Sequence, residues 1–277
     1  MVKIPFTKMH GIGNDFIIIN QMNARYNFTK NTIQNLSNRH TGIGFDQLLI
    51  VEESSNNKAD FKYRIFNKNG AEVEQCGNGA RCFPHYVYSK GLTDKKVVTV
   101  ETVKGNISLT EKEDGAIEVN MGNPNFNLTE IPYLTNNETI PSIIINGKKH
   151  LINLVSMGNP HAVIKIDNFE HIDIPSIAHK LQNSKSFPEG VNVGFLKVIS
   201  KKQLRLKVYE RGSGLTLACG SGACAAAVIA IRNSWTINPV HVAMDGGELR
   251  IEWQHEQPVL MTGPAQIVYE GFIELDD

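Results

Sequence analysis

The chain has 277 residues, which is long enough for two domains. Of these residues 41% are hydrophobic and 20% are charged, a composition typical of globular proteins. Lysine plus arginine and aspartate plus glutamate both number 28, so the formal net charge is zero and nothing supports a nucleic-acid partner or a charged membrane surface. No stretch has the length and apolarity of a membrane span, and the first ten residues lack the pattern of a signal peptide. Four cysteines do not make a disulfide scaffold in a chain this long, so we expect a cytoplasmic protein.

In the first half of the chain, short apolar or alternating segments predict strands between polar turns. These predicted strands cover residues 4–9, 15–20, 48–52, 61–67, 97–103, 106–111 and 117–121. Residues 29–38 predict a short helix with Thr29 as its N-cap, and a second helix is predicted from Cys76 toward Gly91. The Gly11-x-Gly13 pattern precedes a strand and lacks a third glycine, which excludes a dinucleotide-binding fingerprint.

A polar, proline-containing stretch over residues 122–141 predicts a domain boundary, after which the same plan repeats. Strands are predicted near residues 143, 151 and 162, and over 192–199, 204–210, 240–244, 248–253, 259–261 and 267–275. Helices are predicted over 174–183 and from Cys219 to about Asn233. The last of these is apolar on every side, which indicates a buried helix. We therefore expect an α+β fold with two pseudo-symmetric β-rich halves, each a curled antiparallel sheet or barrel around a central helix.

Two short sequences, around Cys76 and Cys219, look like copies of one another, since each places a cysteine before Gly-polar-Gly and a predicted helix. Asn67-Lys-Asn-Gly stands nine residues before the first cysteine, and Glu210-Arg-Gly-Ser stands nine before the second. A thiol at a helix N-terminus meets unpaired N–H groups and the positive end of the helix dipole, which lowers its pKa. The sequence thus predicts two reactive thiols on opposite sides of one cleft.

A facing thiolate and thiol can invert a carbon centre, because one removes a proton from one face while the other delivers a proton to the opposite face. The backbone N–H groups of Gly77, Asn78, Gly220 and Ser221 would hold a substrate carboxylate and the charge that develops beside it. The remaining cysteines, Cys82 and Cys224, lie inside the predicted helices and are interpreted as inert core residues. Their spacing from the first pair is wider than zinc ligands need, so no metal site is predicted.

Six motifs in this order resemble those of the diaminopimelate epimerase family. They occupy residues 11–16, 41–47, 76–82, 158–161, 210–212 and 218–223. The resemblance covers the whole chain and implies cofactor-independent, two-base epimerisation of LL-2,6-diaminopimelate to its meso form, for lysine and peptidoglycan synthesis. It also implies a homodimer, an active site in the cleft between the halves, and a last strand that returns to the first half. The domains implied are residues 1–120 with 266–277, carrying Cys76, and residues 121–265, carrying Cys219.

Carried over to this chain, the resemblance makes Cys76 and Cys219 the acid/base pair. The implied substrate contacts are Asn14, Gln47, Asn67, Gly77, Asn78, Asn159, Asn192, Glu210, Arg211, Gly220 and Ser221. Their chemistry suits a substrate with a second amino-acid centre, because a guanidinium, a carboxylate and amides can together recognise that centre's carboxylate and ammonium. His161 and Glu210 are expected to tune a thiol pKa by proximity.

One departure from the family pattern is Pro84, which falls beyond the first turn of the helix after Cys76 and is expected to kink that helix or shift its start. Four alternatives stay open. They are a two-thiol racemase acting on proline or hydroxyproline, a cofactor-free isomerase of similar fold without the cysteine pair, a hydrolase that uses a cysteine with His161 and Asn159, and a non-enzymatic binding protein. The hydrolase leaves the second matched cysteine without a role.

Overall fold

The computed structural model describes residues 2–73, 77–103, 105–134 and 141–275, and for residues 77 and 78 it describes the backbone alone. It divides into two compact units. Unit 1 is formed by Met1–Asn120 together with Thr262–Asp277, and unit 2 by Met121–Met261. No helix within the described ranges is long and apolar enough to span a bilayer.

The elements follow one another along the chain with short connections. In order they are β1 (Val2–Gly11), β2 (Asn14–Asn20), α1 (Lys30–Ser37), β3 (Gln47–Glu52), β4 (Phe61–Asn67), β5 (Glu72–Val73), α2 (Gly77–Ser89), β6 (Val97–Thr102), β7 (Gly105–Glu111), β8 (Ile117–Asn120), β9 (Ser142–Ile145), β10 (Lys148–Ser156), β11 (Pro160–Lys165), α3 (Ile174–Gln182), β12 (Asn192–Ser200), β13 (Gln203–Glu210), β14 (Gly214–Thr216), α4 (Gly220–Arg232), β15 (Val240–Met244), β16 (Gly247–Glu252), β17 (Leu260–Gly263) and β18 (Gln266–Leu275).

In unit 1 the strands form a mixed sheet. Strand β1 pairs antiparallel with both β18 and β2, and β2 pairs parallel with β3. Strand β4 pairs antiparallel with β3 and β5 and parallel with β6, after which β6, β7 and β8 are antiparallel. The parallel pairs are those joined across α1 and α2, because two parallel neighbours need a crossover rather than a hairpin.

Unit 2 repeats this order of pairings strand for strand. Strands β10 and β11 are antiparallel, β11 and β12 parallel, β12 and β13 antiparallel, and β13 and β15 parallel, with the short β14 added to β13 and β16 following β15. Helices α3 and α4 occupy the places that α1 and α2 have in unit 1. The predicted fold of two β-rich halves is therefore confirmed. The expectation of purely antiparallel sheets was too simple, since each unit has two parallel pairs.

Each unit has one helix packed inside its sheet. Helix α4 contacts strands β10 to β13, β15 and β16, and every residue from Gly222 to Ala230 is buried, as its all-round apolar sequence predicted. Helix α2 contacts β1, β2, β7, β8 and β18. The helix that carries the Cys219 motif is thus held from several directions, which fixes the position of its first turn.

The helix ends follow local chemistry. The side chain of Thr29 accepts a hydrogen bond from the Thr32 N–H at 3.1 Å and so caps α1, as predicted. Helix α2 continues through Pro84 to Ser89, with a start at Gly77. The chain is therefore helical on both sides of the proline, although the proline has no N–H to give to the carbonyl one turn earlier.

Candidate functional site

Cys219 lies directly before α4, in an extended backbone conformation, and it is 4% exposed. Its sulfur accepts a hydrogen bond from the N–H of Gly222 in the first turn of the helix. A Cβ on Gly222 would lie 2.9 Å from the Cγ2 of Val208 and 3.2 Å from the Cys219 Sγ, so this close approach depends on the glycine. The Gly-polar-Gly motif therefore places a thiol where a helix N–H group reaches it.

Glu210, the last residue of β13, lies beside the sulfur. The Cys219 thiol donates to Oε2 of Glu210 over 3.1 Å, and the hydroxyl of Thr216 donates to Oε1 over 2.6 Å. Both carboxylate oxygens thus have a donor, one from a hydroxyl and one from the thiol. The proton of the cysteine has a defined acceptor.

On its other side the sulfur faces the hydroxyl of Ser221, at 3.7 Å. This hydroxyl is 3.1 Å from Nε2 of His161 and 3.4 Å from the amide nitrogen of Asn159. The same His161 nitrogen is 3.0 Å from Oδ1 of Asn159, which can only accept, so Nε2 carries the hydrogen. The single Nε2 hydrogen is shared between Asn159 Oδ1 and the Ser221 oxygen, and the Asn159 amide also donates to that oxygen. The Ser221 hydroxyl therefore has its own hydrogen left to donate to the sulfur.

The charge states follow from burial. His161 is 1% exposed, and burial together with the positive charge of Arg211 lowers its pKa to about 3, so the imidazole is neutral. Burial also raises the pKa of the Cys219 thiol well above its ordinary value, and the charge and hydrogen bond of Glu210 raise it further. The N–H of Gly222 and the hydroxyl of Ser221 oppose that rise.

The sequence-based expectation of a lowered pKa is therefore wrong for Cys219. The helix N-terminus does contribute, but burial and a neighbouring carboxylate outweigh it, because both disfavour a thiolate. Glu210 acts on the sulfur by direct contact. His161 lies one hydroxyl away, so its hydrogen bonds lead to the sulfur only through Ser221.

Two further predicted contact residues hold the neighbouring loops together. Asn192 is buried, its Oδ1 accepts from the backbone N–H of Arg211 at 3.0 Å, and its Nδ2 donates to the Pro160 carbonyl at 3.1 Å. The Arg211 guanidinium is exposed and donates to the Glu189 carbonyl at 2.7 Å. Asn192 thus ties the starts of β11 and β12 to the turn after β13.

In unit 1, the other predicted contacts lie at the ends of adjacent strands. Gln47 of β3 donates to Oδ1 of Asn67 of β4 at 2.8 Å, and the two residues are partners in the strand register. The Oε1 of Gln47 is buried and accepts no hydrogen bond from any residue that the structure describes. Asn14 donates to Asp46 at 2.9 Å. A buried acceptor without a donor is the kind of group that a ligand satisfies.

The carboxylates beside these residues form a charged cluster that the sequence did not reveal. Asp15 pairs with Lys8 at 2.6 Å and with Arg39 through two hydrogen bonds of 2.9 and 2.7 Å, and Arg39 also reaches Asp46 at 3.1 Å. Burial raises the pKa of Asp15, but hydrogen bonds and charge from Arg39 and Lys8 outweigh it and lower that pKa to about 2. The cluster fastens the turn that carries Asn14 to the loop before β3.

The first cysteine motif is described only in part. Cys76 lies outside the described residues, and of Gly77 and Asn78 only the backbone is given, at the start of α2. The predicted pairing of Cys76 with Cys219 therefore stays a prediction. Within the described ranges, no group of three or more His, Cys, Asp or Glu side chains is placed to hold a metal ion.

Comparison with known proteins places these features in a family. The family model described as diaminopimelate epimerase matches residues 6–127 and 153–268. The curated diaminopimelate epimerase of Ectopseudomonas mendocina (strain ymp) is 48% identical over 274 residues, which is 98% of this chain and 99% of the relative. That of Psychrobacter arcticus is 47% identical over 279 residues, which is 99% of this chain and 95% of the relative.

Solved structures share the fold at low identity. A hydroxyproline epimerase from Agrobacterium vitis, with bound trans-4-hydroxy-L-proline, has a TM-score of 0.70 at 12% identity and covers 99% of this chain and 93% of its own. A predicted epimerase from Pseudomonas aeruginosa has a TM-score of 0.69 at 13% identity and covers 99% of this chain and 100% of its own. These two likenesses concern the fold alone.

Proposed function

The chain belongs to the diaminopimelate epimerase family, and we propose that it inverts one α-carbon of LL-2,6-diaminopimelate to give the meso isomer. The family match and the full-length relatives confirm the resemblance found in the sequence. The observation within the structure that carries the proposed chemistry is Cys219, a buried thiol that donates its proton to the Glu210 carboxylate while its sulfur accepts from the Gly222 N–H and the Ser221 hydroxyl.

The reaction needs two proton transfers on opposite faces of the α-carbon. In the proposed resting state Cys76 is the thiolate and Cys219 is the thiol. Cys76 then acts as the base, so the C–H bond breaks as an S–H bond forms on Cys76. The S–H bond of Cys219 then breaks as a new C–H bond forms on the other face. The raised pKa of Cys219 supports its assignment as the protonated member of the pair.

After Cys219 has delivered its proton, its thiolate needs stabilisation until the next turnover. The Gly222 N–H and the Ser221 hydroxyl supply it, while the charge of Glu210 keeps the thiolate strongly basic. The same residue can therefore act as an acid in one direction and a base in the other. The N–H groups of Gly220 and Ser221 lie in the first turn of α4, and in this proposal they hold a substrate carboxylate.

We propose that the polar residues near Cys219 and those at the strand ends of unit 1 recognise the second amino-acid centre of the substrate. The Oε1 of Gln47, which lacks a donor among the described residues, suits a substrate ammonium. Arg211 offers an exposed guanidinium for a carboxylate, with Asn192 positioning its backbone. Asn14, Asn67 and Asn159 supply further amides.

Incubation with LL-diaminopimelate in D₂O tests the proposal. We expect deuterium at one α-carbon together with inversion, without pyridoxal phosphate and in the presence of a chelator. Cys76→Ser and Cys219→Ser are each expected to lower turnover by several orders of magnitude, because a hydroxyl is a far weaker acid than a thiol. Cys224→Ala, a matched change within α4, is expected to retain turnover. Exchange into proline and none into diaminopimelate would move the assignment to the proline racemases.

A homodimer is proposed as the assembly. Strand β18 exposes three large apolar side chains, Val268, Tyr269 and Phe272, the last 62% exposed, so this strand is the surface proposed to meet the second chain. We expect sedimentation to give the mass of two chains for the native protein and one chain for Phe272→Asp. The equally drastic Ile199→Asp in unit 2 is the control, and a native monomer contradicts the proposal. A cytoplasmic location is proposed with it, in keeping with a mechanism that needs reduced thiols.

A further inference from the structure

One hydroxyl beside Cys219 belongs to no motif discussed above, that of Thr216. It donates to Oε1 of Glu210 at 2.6 Å, while Oε2 of the same carboxylate accepts from the Cys219 thiol at 3.1 Å. We propose that Thr216 is a positioning residue that holds the Glu210 carboxylate in the one orientation in which it accepts the thiol hydrogen. The inference deepens the proposed function and rests on it, since it concerns the same acid/base site.

The strand register explains why this residue reaches the carboxylate. In the β13–β14 hairpin, Glu210 stands opposite Gly214, and Val208 stands opposite Thr216. Gly214 has no side chain, so the diagonal neighbour two residues further on is the side chain that faces Glu210 across the hairpin. Threonine is also branched at Cβ and therefore stiff about its first torsion, which holds its hydroxyl in place.

The carboxylate needs such an anchor because the last torsion of a glutamate is broad and its plane turns easily. Among the residues that the structure describes, the titratable groups in contact with the sulfur or one hydroxyl away from it are Glu210 on β13 and the neutral His161 on β11, which reaches it only through Ser221. Of these two groups only Glu210 is charged, so its orientation decides how strongly they affect the Cys219 thiol. Without the Thr216 hydroxyl, the carboxylate is free to turn away from the sulfur.

Thr216→Val removes the hydroxyl and keeps the branched shape. We expect it to lower kcat for diaminopimelate roughly ten- to a hundredfold, the effect of losing a hydrogen bond to a charged group, with KM changed less than about threefold. Thr216→Ser, which keeps the hydroxyl, is expected to recover most of the lost kcat. Thr236→Val is the matched control, a buried threonine of the same unit outside the proposed site.

A readout that does not depend on turnover separates this inference from the proposed function. The pH dependence of Cys219 alkylation by iodoacetamide, followed by peptide mass mapping, reports how readily this thiol ionises. We expect Glu210→Gln to move the profile to lower pH, because the charge and acceptor that hold the proton are removed. Thr216→Val is expected to move it in the same direction by a smaller amount, and Thr216→Ser to leave it near the native profile.

A native alkylation profile in Thr216→Val overturns the inference, whether or not activity falls, because Thr216 would then act elsewhere than on this thiol. A native profile in Glu210→Gln overturns it too, since the carboxylate would then have no effect on the ionisation of the Cys219 thiol. Failure of the native enzyme to exchange diaminopimelate would instead refute the proposed function, and the alkylation profiles would still report on Thr216.

Discussion

Asp15→Asn tests the charged cluster that fastens the turn bearing Asn14. Asp15 is 14% exposed and pairs with Lys8, which is 8% exposed, and with the more open Arg39. Removing the carboxylate leaves the Lys8 ammonium buried beside a neutral amide. Breaking a buried pair from one side costs about 3–5 kcal/mol in unfolding free energy, so we expect a loss near the lower end at neutral pH.

Part of that loss depends on pH, and its size follows from the pKa of Asp15. The pKa falls from 3.8 to about 2 on folding, because the hydrogen bonds and charges of Arg39 and Lys8 outweigh the opposing effect of burial. A shift of this size corresponds to about 2 kcal/mol of stability. Because the folded pKa is the lower one, this contribution is fully present above the unfolded pKa and is lost as the pH falls through about 2.

Urea unfolding of the native protein and Asp15→Asn, at a series of pH values, measures this directly. The difference in unfolding free energy is expected to shrink by about 1 kcal/mol between about pH 5 and pH 3, and to keep shrinking toward pH 2. Arg39→Gln serves as the comparison. It keeps the buried ion pair between Lys8 and Asp15 and removes a guanidinium that is 56% exposed, so we expect a smaller loss of unfolding free energy. A difference between native protein and Asp15→Asn that stays constant from pH 5 to pH 3 would refute the reasoning.

Two other substitutions probe packing in unit 2. Gly222→Ala places a methyl group 2.9 Å from a side-chain carbon of Val208 and 3.2 Å from the Cys219 sulfur. We therefore expect about 1–3 kcal/mol of destabilisation in urea unfolding and a fall in kcat in the epimerase assay. Native stability together with native turnover would contradict this expectation. Thr236→Val removes a buried hydroxyl that has no hydrogen-bond partner among the described residues, so a gain of about 1 kcal/mol is expected, and a loss of stability would show that the hydroxyl is satisfied after all.

Much of the fold could be read from residue patterns. The gapless match between the two cysteine motifs predicted a duplication, and the two units do share one order of strand pairings. The apolar, alanine-rich sequence of α4 predicted its burial. Strand direction could not be predicted, because side-chain alternation is the same in parallel and antiparallel sheets. The two-residue β5 and three-residue β14 are not among the predicted strands, since so short a strand carries no periodicity.

Some features of the site could be predicted from the neighbouring sequence, and others could not. The helix start at Gly220 was predictable from Gly-polar-Gly, and so was the position of Cys219 before it. The direction of the thiol pKa was not, because it depends on burial and on a carboxylate nine residues away in the chain. Thr216 escaped notice for a related reason. A threonine in a short strand has no signal of its own, and its contact with Glu210 exists only in the register of the hairpin.

The pairing of β18 with β1 bears on how the protein is made. On the ribosome β1 emerges well before its partner β18, because the whole of unit 2 is translated between them, at about 5–20 residues per second. Until then the nascent chain has one unpaired edge of β1 exposed, an edge that chaperones or neighbouring chains can bind. Unit 2 has all of its residues as soon as Met261 has left the exit tunnel. The second half to be translated is therefore the first that can complete its sheet.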